Sequence, residues 1–147
     1  MKQTKNITMF SIGYNGTIGE LEKNLEDGTL DLDAITDLLG IKPFYKWTKD
    51  RKYPLPIGKD DFCPFAIWST EVSTGYNIRN QCLETIKPLK TKIPELDKIK
   101  SLYNVEFSII ITPFTDERVC FNFDKDIIEF CYLTSTSIIM NGVVDSE

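Results

Sequence analysis

The stretch Val105-Glu-Phe-Ser-Ile-Ile-Ile-Thr112 has the clearest strand pattern in the chain. Apolar residues occupy every second position and alternate with Glu106, Ser108 and Thr112. Alternation with a period of two is typical of a strand that turns one face toward a core. Such a strand needs partners on both sides, and the segments around it indicate what those partners are.

Two segments upstream of this strand have helical patterns. The first begins at Asp31, which can cap the free amides of a first turn, and ends at Gly40, a residue suited to a left-handed terminating position. The second covers residues 77–100, where Asn77 can cap the first turn and apolar residues recur at spacings of three and four. Pro88 and Pro94 are expected to break or restart it, because proline fits the first turn of a helix better than its interior.

Alternating or short apolar segments predict the remaining strands. They are residues 7–14, 44–49, Phe65–Val72, Val119–Phe123 and Ser137–Val143, with a short helix capped by Asp124 before the last of them. Asn15–Thr29 is polar and punctuated by glycine, so we interpret it as a surface excursion with a helical turn near residues 20–25. The proline-rich segment 50–64 is predicted to be a long loop.

Together these segments predict an α+β fold in which a mainly antiparallel sheet carries its helices on one face. Their order is β-α-β-β-α-β-β-α-β, and the first six match the ferredoxin-like βαββαβ core, followed by an extra strand, helix and strand. A chain of 147 residues can bury a sizeable core, so residues 1–147 are expected to form a single domain.

The chain contains no histidine, which removes several classes of function. Histidine is the commonest general acid–base in enzymes and the commonest metal ligand. A histidine-based Ser or Cys triad and a histidine-ligated zinc site are therefore excluded. We expect a protein that is not an enzyme and that holds no metal and no cofactor.

The four cysteines indicate a reducing compartment. Cys63, Cys82, Cys120 and Cys131 are widely spaced, whereas a four-cysteine zinc site needs closely spaced pairs. No apolar run approaches the roughly 20 residues that cross a bilayer. Residues 1–6 are followed by no signal-peptide core, so a soluble, cytoplasmic protein with structural thiols and no membrane partner is predicted.

The net charge of −5 is unevenly distributed. Residues 42–59 contain five lysines and one arginine against a single aspartate, whereas residues 104–147 contain eight acids against two bases. An acidic body favours a basic partner and makes nucleic acid an unlikely ligand. Oligomeric state does not follow from these patterns.

Four segments taken in order resemble a bacterial family catalogued as a domain of unknown function, of the DUF4279 type. They are Asp31-Leu-Asp-Ala-Ile-Thr-Asp-Leu-Leu-Gly-Ile-Lys-Pro43, Trp68 within Phe-Ala-Ile-Trp-Ser, the helical region 77–100 leading into residues 105–111, and Phe121-Asn-Phe-Asp-Lys-Asp-Ile-Ile128. The resemblance implies an α+β fold and supplies no catalytic residues. Asn15–Thr29 is longer than the corresponding connection of the family.

The strongest candidate site is the segment 44–53, which interleaves aromatic residues with cations. The candidate binding residues in it are Tyr45, Lys46, Trp47, Lys49, Arg51, Lys52 and Tyr53. Aromatic rings can stack on bases while cations neutralise phosphates, and the same residue types form hot spots for proteins. The alternative is an edge strand whose outward lysines prevent pairing while Tyr45 and Trp47 pack inward.

Trp68 is a second candidate binding residue. It could line a pocket with Tyr76 or Tyr14. The alternative is a core position in which the indole N–H donates to a carbonyl.

Closely spaced carboxylates are the third candidate. Pairs such as Asp31/Asp33 and Asp124/Asp126 could act in acid–base chemistry, but capping of helix N-termini explains the same spacing. Asp31-x-Asp33 also lacks the glycine and glutamate that a calcium loop requires.

Two hypotheses for function follow from these observations. The first is a non-enzymatic binding protein, one version of which is an immunity-type inhibitor that uses acidic residues of 104–147 and of the helix at Asp31 against a basic protein. The second is a small-molecule or nucleotide binding module built on the aromatic and basic segment 44–53.

Overall fold

A computed structural model of the chain describes residues 6–47, 65–75, 77–113 and 123–140. The strands are β1 (Asn6–Tyr14), β2 (Tyr45–Lys46), β3 (Phe65–Ser69), β4 (Ser73–Gly75), β5 (Val105–Thr112) and β6 (Thr136–Met140). The helices are α1 (Ile18–Glu26), α2 (Leu32–Leu39), α3 (Ile78–Ile86), α4 (Ile93–Leu102) and α5 (Lys125–Thr134), with a 3-10 helix over Lys87–Lys92 between α3 and α4.

The sheet confirms the predicted α+β class. Its strand order is β2-β3-β1-β5-β6, with β4 pairing with β1 beyond the end of β3. The first four strands along this path pair antiparallel, whereas β6 pairs parallel with β5. Strands β1, β2, β3 and β5 thus have the order and directions of a ferredoxin-like core, and α5 with β6 forms the predicted extension. The predicted loop 50–64 lies outside the described residues. Of the predicted return strand, Val119–Phe123, only Phe123 is described.

Helices pack on one face of this sheet, as predicted. Phe10 of β1 contacts Phe130 of α5, and the Tyr14 hydroxyl accepts a hydrogen bond from Asn24 of α1. Both residues lie at alternate positions of β1 and so share a face. Register places Trp68 beside Ile12 on that face, and the indole donates to Thr36 of α2.

A β-bulge in β3 adds an extra residue to the core. Ile12 pairs with Trp68 while Gly13 pairs with Ala66, so Ile67 has no opposite residue on β1. Such a bulge bends the strand and changes where its side chains point. Both Ile67 and Trp68 are completely buried in the same cluster as Ile12.

Helix boundaries follow the predicted caps closely. Asp31, Asn77 and Asp124 cap α2, α3 and α5, each through a side-chain oxygen that accepts from amides of the first turn. Gly40 ends α2 with φ of 65°, the left-handed conformation that glycine adopts at little cost. Pro94 lies in the first turn of α4, which explains why the predicted helical region divides.

Most residues of Asn15–Thr29 are exposed, and the helical turn expected near residues 20–25 extends to the nine-residue helix α1. This helix begins with a capping box between Thr17 and Glu20. Leu21 of this helix is completely buried in the core. Local capping chemistry and one buried leucine suffice to order a segment whose overall composition is polar.

Candidate functional site

The described part of the segment 44–53 joins the edge of the sheet. Tyr45 is 3% exposed and pairs with Ser69, and Lys46 pairs with Trp68 across β2 and β3. The Lys46 ammonium forms a salt bridge of 2.7 Å with Asp33 of α2. Trp47 is half-buried against the core. These features agree with the edge-strand alternative for residues 45–47.

The remaining candidates of this segment, Lys49, Arg51, Lys52 and Tyr53, lie outside the described residues. The structure therefore brings together Tyr45, Lys46, Trp47 and Trp68 of the predicted binding set. Whether the segment forms a ligand-binding surface stays a prediction.

Trp68 lies in the core, which was the alternative to a binding role. Its side chain is completely buried, and its indole N–H donates to the Thr36 hydroxyl at 3.0 Å. The partner is therefore a side-chain hydroxyl and not the expected backbone carbonyl. With the ring enclosed and its donor satisfied, Trp68 offers no free surface for a ligand to stack on.

The described cysteines agree with the prediction of structural thiols. Burial raises the pKa of the Cys82 thiol to about 11, and the nearby Cys131 adds to this effect. Burial likewise raises the pKa of Cys131. Because the thiolate is the reactive form, both thiols are poor nucleophiles at neutral pH. Cys63 and Cys120 lie outside the described residues.

The carboxylates are concentrated on the segment that contains α1 and α2, which we name the α1–α2 acidic segment, residues 20–37. It carries seven exposed acids against one lysine, Lys23; the acids are Glu20, Glu22, Glu26, Asp27, Asp31, Asp33 and Asp37. This density exceeds that of any other stretch of similar length in the described residues. The predicted helix at Asp31 is thus one half of a larger acidic surface.

Several of these carboxylates also organise the local backbone. Glu20 accepts from the Thr17 amide, and Asp31 accepts from the amides of Asp33 and Ala34. Asp27 accepts from the Thr29 amide, and hydrogen bonds from Thr29 lower the pKa of its carboxyl. Capping therefore explains Asp31, as predicted, and also Glu20, while Asp27 orders the turn after α1; the negative charges stay exposed to solvent.

Buried side chains and two side-chain hydrogen bonds attach the α1–α2 acidic segment to the core. Leu21, Ile35 and Leu39 are completely buried beneath it. Asn24 donates to the Tyr14 hydroxyl at 2.8 Å, which ties α1 to the first strand. Thr36 holds α2 to β3 through the Trp68 indole. Its carboxylates are thus presented from fixed elements, which limits the conformational entropy lost when a partner binds.

Acids of the second predicted surface, 104–147, are partly neutralised by basic neighbours. Arg79 forms an ion pair with Asp124, and Lys90 lies 3.3 Å from Asp126. The backbone amide of Asp126, followed by Arg79, lowers the pKa of the Asp124 carboxyl. Other acids of this region, Asp116, Glu117, Asp145 and Glu147, lie outside the described residues.

The comparisons with known proteins place the chain in a family. The sequence profile described as "Domain of unknown function (DUF4279)" matches residues 23–139. The chain belongs to this family. The resemblance predicted from the sequence is therefore confirmed. No curated protein and no solved structure matches this DUF4279 chain.

Two features of this DUF4279 protein could not be predicted from its sequence. The first is an open groove of about 480 Å³ between the end of α2, the turn from β3 to β4, and α3. Thr70, Ser73, Thr85 and Glu84 contribute polar atoms to it, and the Ser73 hydroxyl donates to Glu84 at 2.9 Å. These residues are distant in sequence and share no motif, so only the folded chain brings them together.

The second feature is a row of serines on the face of the sheet opposite the helices. Ser69, Ser11, Ser108 and Ser137 are consecutive neighbours across β3, β1, β5 and β6. The Ser69 hydroxyl is buried and has no hydrogen-bond partner among the described residues. Strand register creates this row, and register cannot be read from the individual strands.

Within the described parts of the chain, no group of three or more Cys, Asp or Glu side chains could hold a metal ion. No helix within them is long and apolar enough to cross a bilayer.

Proposed function

We propose that this DUF4279 protein acts by binding a basic protein through its α1–α2 acidic segment. The observation that carries the proposal is the display of seven exposed carboxylates on α1, α2 and their caps. Lys23 is the one base within the segment, and Lys46 of β2 pairs with Asp33 from outside it. A concentrated field of one sign attracts a partner of opposite sign and suppresses wrong partners.

The proposed mode of action is binding without catalysis. The described carboxylates that lie close together cap helices or pair with bases, and the described thiols are held protonated by burial. We place the protein in the cytoplasm, where free Cys82 and Cys131 would stay reduced.

A finer form of the proposal is an immunity-type inhibitor. A toxin that acts on nucleic acid must itself present a basic surface to phosphates. An acidic, rigid segment of residues 20–37 is suited to cover such a surface, because it mimics the charge of the substrate and needs little ordering on binding.

The experiment compares two charge-reversed variants in affinity capture from a lysate of the source cells. Glu22→Lys/Asp37→Lys reverses two acids of the α1–α2 acidic segment that take no part in capping. Asp97→Lys/Glu106→Lys is the matched control, because it changes the net charge equally at exposed positions elsewhere. We expect wild type and control to retain the same basic protein, identified by mass spectrometry, and the first variant to lose it. Equal retention by both variants would reject the proposal.

A further inference from the structure

The groove between the end of α2, the turn from β3 to β4, and α3 has the size of a small-molecule site. Its volume of about 480 Å³ lies within the range of roughly 300–1,000 Å³ that is usual for such sites. The residues that line it all belong to the described part of the chain. Three separate segments, 41–42, 70–74 and 84–88, supply them.

Side-chain hydrogen bonds join these segments to one another and to the sheet. Gln81 of α3 donates to the Ser73 carbonyl at 2.9 Å and to the Asn6 carbonyl at 3.0 Å. The Thr70 hydroxyl accepts from the Phe10 amide at 3.1 Å. The turn from β3 to β4 is thus attached to both α3 and β1, so the groove exists before a ligand binds and less ordering is required on binding.

Charges of both signs line the groove from different sides. Lys42 follows α2, Glu71 lies in the turn, and Glu84 lies on α3. The three salt bridges found among the described residues involve none of these side chains. The groove therefore offers one ammonium and two carboxylates, kept apart from each other, to a solute that enters it.

The hydroxyls of the groove can accept further hydrogen bonds but have already used their protons. Thr85 is 5% exposed and donates to the Gln81 carbonyl at 2.8 Å, and Ser73 donates to Glu84 at 2.9 Å. A hydroxyl has one proton and two lone pairs, so each of the two retains acceptor capacity. An ammonium group, with three donors and no acceptor, matches such a set of oxygens.

We propose that this groove binds a small zwitterion with an apolar body, which is the chemistry of an apolar amino acid or a short apolar peptide. The carboxylate of the ligand pairs with Lys42, and its ammonium pairs with Glu84 beside the hydroxyls of Ser73 and Thr85. The body of the ligand contacts the apolar residues of the lining, Ile41, Val72 and Pro88. The groove lies outside the α1–α2 acidic segment, so the inference goes beyond the proposed function and does not depend on it.

The test titrates the full, isotopically labelled chain with leucine and with leucylleucine and follows the backbone amide shifts by NMR. We expect at least one of the two to bind, with shifts centred on residues 41–42, 70–74 and 84–88. Leucine alone would identify a free amino acid as the ligand, and leucylleucine a short peptide. The N-acetyl form of the bound compound lacks the ammonium and its amide lacks the carboxylate, so each should bind about tenfold more weakly or worse.

Two variants assign each charge of the ligand to its partner. Lys42→Gln should weaken binding of the zwitterion about tenfold but leave the affinity for the amide form unchanged, because that form has no carboxylate. Glu84→Gln should do the same for the zwitterion and spare the N-acetyl form. Lys87→Gln and Glu129→Gln are the matched controls, since they make the same charge changes at exposed positions outside the lining. Both should bind as the wild type does.

The outcomes separate this inference from the proposed function. Glu22→Lys/Asp37→Lys should bind the zwitterion with wild-type affinity, whatever it does to a basic protein. Circular dichroism should show that every variant is folded. The inference would be overturned if neither zwitterion binds, if the blocked forms bind as well as the zwitterion, or if the groove and control variants lose equal affinity.

Discussion

Trp68 illustrates how a single residue can be prominent in the sequence and yet unavailable as a site. Its indole lies in the core, and the Thr36 hydroxyl accepts its only donor at 3.0 Å. Trp47, three residues after the exposed Phe44, is only half-buried. The two tryptophans of the chain should therefore respond differently to solvent.

Fluorescence quenching tests this difference. Trp47→Phe leaves Trp68 as the only indole, so its emission should be shifted to shorter wavelengths and acrylamide should quench it weakly. Trp68→Phe leaves Trp47, whose emission should be quenched more strongly. Efficient quenching of Trp68 in the first variant would contradict its burial and would restore it as a candidate binding residue.

At the scale of helices and strands, local sequence patterns predict where helices begin and where strands lie. They do not predict how the strands pair. Asp31, Asn77 and Asp124 were predictable as caps because an N-cap depends on a few consecutive residues. The strand character of Val105–Thr112 follows equally from its alternation. In contrast, the bulge at Ile67 and the row of serines depend on contacts between distant segments, which no local pattern contains. Helix α1 was predicted only as a turn near residues 20–25, because Leu21 is its one fully buried residue.

The cap of α5 predicts a pH dependence of stability. The pKa of Asp124 is lowered from the ordinary value of 3.8, chiefly by the Asp126 amide and also by Arg79. A lowered carboxyl pKa contributes stability above 3.8, and that contribution is lost as the pH falls through the folded-state value. Asp124→Asn keeps a capping side chain but removes the charge.

Denaturant unfolding across a pH series measures this contribution. The wild type should be more stable than Asp124→Asn at neutral pH, and the two should converge as the pH falls below 3.8. Arg79→Gln should remove the smaller part of the difference, because the Asp126 amide is the larger cause. A difference that is unchanged in acid would show that the charge of Asp124 does not stabilise the helix.

At the scale of the whole molecule, the α1–α2 acidic segment is attached to three neighbouring strands of one sheet. Asn24 of α1 bonds to Tyr14 of β1, and Asp33 and Thr36 of α2 bond to Lys46 of β2 and Trp68 of β3. The net negative charge follows from composition, whereas a basic partner stays a prediction. The location of the charge was predictable only in part, since Asp124 and Asp126 prove to be paired with bases that are distant in sequence.

Recognition through the α1–α2 acidic segment is the central claim, and the salt dependence of association tests it most directly. The measurement is the association rate of the captured basic protein with the wild type and with Glu22→Lys/Asp37→Lys, at low and at physiological ionic strength. Salt screens charges beyond a Debye length of about 8 Å at physiological strength, so the wild-type rate should fall steeply as salt rises. The variant should bind slowly and with little salt dependence. A wild-type rate that is indifferent to salt, or equal rates for wild type and variant, would contradict the claim.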